Sequence, residues 1–224
     1  MTQVPGGVLI STLRNSVFLC VCVEWLFYRK GRRATQRPQR KAVQIKPLPT
    51  PQVPGLTIRR GTVDDAALLS ELGARTFSET FAADNTAEDL AAYLNASFNV
   101  AQQTAELEDP GSIFLIAEVD GRAAGYAKLH DGEPEKGVEG ANPIELVRLY
   151  VSREWLGSGI GAQLMRACLD EARQAGHETI WLGVWERNPR AQAFYRKWNF
   201  QAVGEHVFRL GSDLQRDILM QRTL

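Results

Sequence analysis

Between Glu145 and Tyr195 the chain gathers the residues whose types and spacing suit chemistry: a carboxylate, three closely set glycines, an asparagine and a tyrosine. The loop Gly157-Ser158-Gly159-Ile160-Gly161 follows an apolar run, Leu146 to Val151, that reads as a buried strand. After it, Leu164, Met165, Cys168, Leu169 and Ala172 recur at helical spacing. Strand, glycine loop and helix in that order make an anion site. The first N–H groups of the helix lack intrahelical partners, its dipole favours negative charge, and glycine lets the backbone approach a pyrophosphate closely. The competing reading is a strand-to-helix turn that needs flexible residues and binds nothing. The loop is neither Gly-x-Gly-x-x-Gly nor followed by Lys-Ser/Thr, so it fits neither common nucleotide motif. No Ser–His or Cys–His arrangement points to a covalent intermediate. Cys168 falls on the apolar helix face and reads as packing. The three cysteines have no zinc-ligand spacing and form no disulfide framework, which makes a reducing cytosol the default.

The elements that must position these residues alternate between strand and helix. Leu56 to Arg60 reads as a first strand. Thr62-x-x-Asp65 and Thr86-x-x-Asp89 are capping boxes opening two helices, the first running to Phe77, with Asp84 and Asn85 in the link. Ser112–Val119 and Arg122–Leu129 flank Asp120-Gly121, a type I′ hairpin signal. Residues 131–141 read as an acidic loop. The helix after the glycine loop stops at Ala175-Gly176, and Thr179 to Val184 is the next strand. Asn188 caps a helix with Pro189 at its first position, and a hairpin of about residues 201–208 and 216–222 closes the chain. The expected class is α/β (α+β), a mixed, mostly antiparallel sheet flanked by helices, with residues 56–224 as one domain.

Residues 1–55 differ in character. They carry nine Lys/Arg against one acid, net +8, whereas residues 56–224 carry 17 bases against 25 acids, net −8. The apolar run Val17–Tyr28 is short for a bilayer span and holds Glu24. Prolines 38, 47, 49, 51 and 54 lie among basic residues and suggest an extended linker. The segment reads as a disordered or irregular extension or a misassigned start. Membrane contact through residues 8–33 is the less favoured alternative, and a nucleic-acid arm is disfavoured for want of aromatic interleaving. An acidic body attracts polycations.

Arg148-Leu-Tyr-Val151, Gly159-Ile-Gly161 and Asn188-x-x-Ala191-x-x-Phe194-Tyr195-x-x-x-Asn199-Phe200 resemble the acetyl-CoA signature of the GNAT N-acetyltransferases. The likeness covers about Leu56 to Leu224. Thr76-Phe77-x-x-Thr80-Phe81, Tyr93-Leu94, Trp181-Leu-Gly-Val-Trp185-Glu186 and Gly204-x-His206-x-Phe208 bring it nearer the PaiA-type spermidine/spermine acetyltransferases.

The resemblance implies direct acetyl transfer from acetyl-CoA, without a metal, to a small-molecule amine. Pyrophosphate would be held by Leu156, Gly157, Ser158, Gly159, Ile160 and Gly161. Leu156 stands where relatives usually carry Arg or Gln, which removes one side-chain contact; Arg153 could substitute. The backbone of Leu149, Tyr150 and Val151 would pair with pantetheine like an added strand, leaving an N–H for the developing oxyanion. Asn188 would touch CoA, and Tyr195 would protonate the departing thiolate. Glu145 is the candidate base, acting directly or through water, since an ammonium must lose a proton before it attacks. Some ribosomal-protein acetyltransferases carry a Glu where this chain has Gly183, which counts against a protein N-terminus as acceptor. Glu79 and Asp84 are candidates for a substrate's second ammonium. His206 is assigned no role. The alternatives are an amino acid, antibiotic or protein amine as acceptor, or a CoA-binding regulator without turnover. The expected protein is cytoplasmic, a monomer or homodimer.

Overall fold

The computed structural model describes residues 53–210 and 213–224, with side chains omitted for residues 208–210. The suggested membrane contact and the linker prolines up to residue 51 lie outside the described residues. None of the described helices is long and apolar enough to cross a membrane.

Among the described residues seven strands form one sheet: β1 (Leu56–Arg60), β2 (Ser112–Val119), β3 (Arg122–His130), β4 (Pro143–Val151), β5 (Thr179–Trp185), β6 (Gln201–Leu210) and β7 (Asp213–Thr223). Their order is β1-β2-β3-β4-β5-β7-β6, and every pairing is antiparallel except β4 with β5. Among the described residues five α-helices flank it: α1 (Ala66–Phe81), α2 (Ala87–Ser97), α3 (Val100–Glu108), α4 (Ile160–Gln174) and α5 (Pro189–Lys197). The mixed, mostly antiparallel architecture is the one expected.

Local chemistry accounts for many of the boundaries. Asp65 accepts the Thr62 N–H at 2.8 Å, closing the box that leads through one 3-10 turn into α1. Thr86 Oγ1 accepts from Asp89 N at 3.1 Å and starts α2. Asp120 and Gly121, at φ 49° and 76°, make the tight β2–β3 turn that Asp-Gly announces. One boundary is corrected and one element is added. Helix α1 continues past Phe77 to Phe81, and α3, unforeseen, is capped by Asn99, whose side chain accepts from Gln102 N at 2.8 Å. The acidic stretch before β4 is tied to the sheet's far side, with Glu139 N donating to Gln221 Oε1 at 2.8 Å.

The sheet buries both faces. On one, Leu115, Ala127, Leu149, Leu182 and Met220 pack with Leu164, Met165 and Cys168 of α4 and Phe194 and Tyr195 of α5. On the other, Phe114, Tyr126, Tyr150 and Trp185 pack with Leu69, Phe77 and Phe81 of α1.

Candidate active site

The site begins where the sheet comes apart. β4 pairs with β5 only over Pro143–Glu145 against Thr179–Trp181. Beyond that β4 stays with β3 as far as Val151, and β5 stays with β7 as far as Trp185. A wedge therefore opens between residues 146–151 and 182–185. A bulge starts it: the β3–β4 register steps from Lys128 opposite Arg148 to Leu129 opposite Leu146, leaving Val147 as the extra residue that bends β4.

Strand alternation decides which backbone groups face the opening. Ser152 N donates to Ala124 O of β3 at 2.9 Å. Hydrogen-bonding direction alternates along a strand, so Tyr150 also turns toward β3, while Leu149 and Val151 turn their N–H and C=O groups into the wedge. The Tyr150 ring lies on the α1 face, edge-on to Tyr126 with centroids 5.5 Å apart.

At the end of β4 the chain makes a 3-10 turn, Arg153–Trp155, then Leu156 and the glycine loop. Gly157 and Gly159 hold φ of 78° and 100°, which other residues rarely adopt. Gly159 caps α4, and its carbonyl accepts from both Ala162 N and Gln163 N at 3.1 Å. The amides of Ile160 and Gly161 occupy the first turn, where a helix offers no acceptor of its own. Ser158 turns its hydroxyl back to Trp155 O at 2.7 Å, which shapes the loop. A strand leading into a helix N-terminus through left-handed glycines suits a diphosphate.

Asn188 caps α5, its Oδ1 accepting from Ala191 N at 3.0 Å. Tyr195, fully buried, shares one apolar cluster with Leu149 and Val151 of β4, Val184 of β5 and Ile160 of α4. Its ring meets Phe194 and Phe200 edge-on at 5.4 and 5.7 Å. The structure thus brings the tyrosine, both wedge strands and the start of α4 into one cluster.

Glu145 sits at the point where β4 and β5 part. Leu146 faces α4, so alternation turns Glu145 to the opposite face, with α1, α2 and α3. Burial pushes its carboxyl up to about 7, against the pull of Lys128 and His206. Glu79 and Asp84 are exposed. Glu79 Oε2 accepts the Arg153 N–H at 3.2 Å and so ties α1 to the turn before the glycine loop. Asp84 lies beside Asn85, whose Oδ1 accepts from Gln215 Nε2 at 2.8 Å.

The sequence pattern of the acetyltransferase (GNAT) family matches residues 75–200. An N-acetyltransferase of Lactobacillus delbrueckii subsp. lactis, itself uncharacterized, is 34% identical over 170 residues, covering 76% of this chain and 98% of that protein. An uncharacterized N-acetyltransferase of Mycobacterium tuberculosis is 36% identical over 160 residues, 71% of this chain and 98% of its own length. The chain belongs to the acetyltransferase (GNAT) family. It is an acyltransferase of that family, and its fold is shared with the PaiA N-acetyltransferase of Thermoplasma acidophilum, solved with coenzyme A. The two superpose with a TM-score of 0.62 at 21% identity, over 75% of this chain and 99% of the other.

Reading the sequence missed an ionic cluster in this GNAT domain. Arg148, with no exposed surface, forks onto Glu106 of α3 at 2.7 and 3.0 Å. Lys128 meets the same carboxylate at 2.9 Å. Burial alone would raise Glu106, but the two cations hold it down at about 2. The guanidinium also lies 5.0 Å above the Phe98 ring. His206 and Asp217, paired across β6 and β7, were also overlooked as a unit. The signal available was the His206…Asp217 spacing of the closing hairpin, which carries meaning only once its register is known.

Proposed function

We propose that the chain transfers acetyl from acetyl-CoA to a primary amine, with a polyamine such as spermidine as the best-suited acceptor. The wedge carries this reading: one β4 edge with free-facing amides, ending in a loop built for a diphosphate. Leu149 and Val151 would take pantetheine as an added strand, with an amide there meeting the developing oxyanion, worth about 3 kcal/mol. Leu156, Gly157, Ser158, Gly159, Ile160 and Gly161 would hold the diphosphate, the last two through first-turn amides. The coenzyme A complex of the Thermoplasma acidophilum relative supports the choice of thioester. Tyr195 would return a proton to the thiolate, and Asn188 would hold the start of α5 against the coenzyme.

Glu145, at the apex where the two wedge strands part, would meet the ammonium and receive its proton, directly or through water. A carboxyl whose affinity for protons lies near neutrality suits that task. The net charge of −8 over residues 56–224 favours a polycation. Asp84 is the exposed carboxylate better placed to meet a second ammonium, because Glu79 already holds a backbone amide. This cytoplasmic-enzyme reading is tested by measuring CoA release with spermidine, lysine and an N-terminal peptide. Turnover fastest with spermidine is expected; turnover with none of the three would leave a CoA-binding module instead. Tyr195→Phe should lower kcat at least tenfold while acetyl-CoA affinity stays within about twofold. An equal loss of both would make the tyrosine structural.

A further inference from the structure

His206 lies on β6, two strands away from β5, yet its ring reaches β5. A Cβ built on Gly183 would come within 3.4 Å of His206 Cε1 and 3.3 Å of Asp217 Oδ2. The imidazole thus leans across β7 to the strand that bounds the wedge, and Gly183 is what admits it. Gly183 is two residues past Trp181, the last β5 residue paired with β4, and Trp181 is the partner of Glu145. Glu145 on β4 and the His206–Asp217 pair, which reaches β5 at Gly183, therefore lie on the same face of the sheet, close to the point where the two wedge strands part.

The pair is built for more than packing. His206 Nε2 stands 3.6 Å from Asp217 Oδ2, with side chains only 13% and 2% exposed. Both ring nitrogens and Asp217 Oδ1 are buried and have no hydrogen-bond partner among the described residues. Buried polar groups are almost always hydrogen-bonded, so three such atoms together suit a ligand or a proton in transit.

We infer that the proton acceptor for the amine is a unit of two groups, Glu145 together with His206, and that Asp217 is the positioning residue that orients the imidazole. The inference rests on the acetyltransferase reading and deepens it by naming what deprotonates the acceptor. The ammonium's N–H bond breaks and its proton passes to the unit. The nitrogen lone pair then forms the N–C bond while C–S breaks. The thiolate takes a proton, the adduct's nitrogen loses one, and one proton per turnover leaves to solvent.

The charged neighbours define the expected pH behaviour. His206 faces Asp217 from β7, Glu145 from β4 and Glu135 from the β3–β4 connection; burial opposes its protonation, and the three carboxylates together more than offset that. Lys128 and Arg148 act on Glu145 from β3 and β4, and Glu186 acts on Asp217. When two groups titrate as one unit their macroscopic steps are shared. The acid limb of kcat/KM should therefore show two separate steps in the native enzyme and one in His206→Gln. The same variant should lose 10- to 100-fold in kcat with little change in acetyl-CoA KM. Asp217→Asn removes a carboxylate that favours the imidazolium, so it should move the limb to lower pH.

A titration of the His206 ring protons by NMR in the resting protein keeps this separate from the question of function. Its midpoint should fall in both Asp217→Asn and Glu145→Gln. A midpoint indifferent to Glu145→Gln, or a His206→Gln profile superimposable on the native one, would overturn the coupled unit even with turnover intact. Absence of turnover with every amine, alongside a midpoint that does respond to Glu145→Gln, would instead sink the acetyltransferase reading and leave the coupling standing.

Discussion

The two faces of the sheet are built from different materials. Against α4 and α5 the contact is mainly apolar, from Leu115 and Leu149 to Leu164, Cys168 and Met220, with Gln192 of α5 the buried polar exception, donating to Trp185 O. Against α1, α2 and α3 an aromatic cluster surrounds charge: Arg148, Lys128 and Glu106 are all buried or nearly so, and Glu145, His206 and Asp217 continue the row toward β6. The first face holds the sheet together and supports the wedge. The second spends stability on groups that can move protons. An apolar contact is insensitive to pH, whereas a buried charge stands only while its partner keeps the complementary state.

The largest expected effect lies on the charged face. Arg148→Ala strips Glu106 of its bidentate partner and leaves Lys128 alone to neutralise it, in a site with almost no solvent. A loss of about 3–5 kcal/mol is expected, read as a lower urea midpoint. On the apolar face Leu164→Ala should cost about 2–4 kcal/mol through lost burial and a residual cavity. The two variants should differ most in acid. Glu106 is held at about 2, below its ordinary 4.5, so the native pair contributes stability above pH 4.5 that is lost as pH falls toward 2. Leu164→Ala should keep that dependence and Arg148→Ala should flatten it. Parallel pH profiles for the two would erase the distinction between the faces.

The same difference explains what could be read in the sequence. Helix α4 was legible because its buried residues, Leu164, Met165, Cys168, Leu169 and Ala172, are apolar and recur with the helical period. Helix α5 announced itself through Asn188 and Pro189, and the β2–β3 hairpin through Asp120-Gly121. Helix α3 was invisible: the side chains it buries against the sheet include Gln103 and Glu106, so its inward face looks like a solvated one. Arg148 could be taken from a motif, but its partner is 42 residues away on that unseen helix. Glu145 was legible as the polar start of an apolar strand. His206 was not, since a lone histidine gains meaning only when the hairpin register sets it opposite Asp217 and Gly183 lets it lean inward.

Glu145→Gln gives a smaller effect of opposite sign. Its carboxyl sits at about 7 in the folded chain, against an ordinary 4.5, so the folded state binds the proton more tightly. That contribution to stability is fully present below pH 4.5 and is lost as pH rises through 7. The glutamine variant should therefore match the native protein near pH 5 and exceed it by about 1–2 kcal/mol at pH 8, while losing turnover. Thermal melts at the two pH values check it. A variant no more stable at pH 8 would mean that the carboxylate is well solvated where it stands.

The smallest effect belongs to the apolar side and concerns backbone alone. Asn199 ends α5 at φ 64°, a left-handed conformation that asparagine tolerates and glycine adopts without strain. Asn199→Gly relieves the Cβ but gives the unfolded chain more freedom, so the two terms largely cancel. A gain within about 0.5 kcal/mol is expected. Because no ionisable group takes part, the gain should be the same at pH 5 and pH 8, in contrast to Glu145→Gln. A pH-dependent difference would show that the end of α5, and with it the setting of Tyr195, is coupled to the charged face through the sheet.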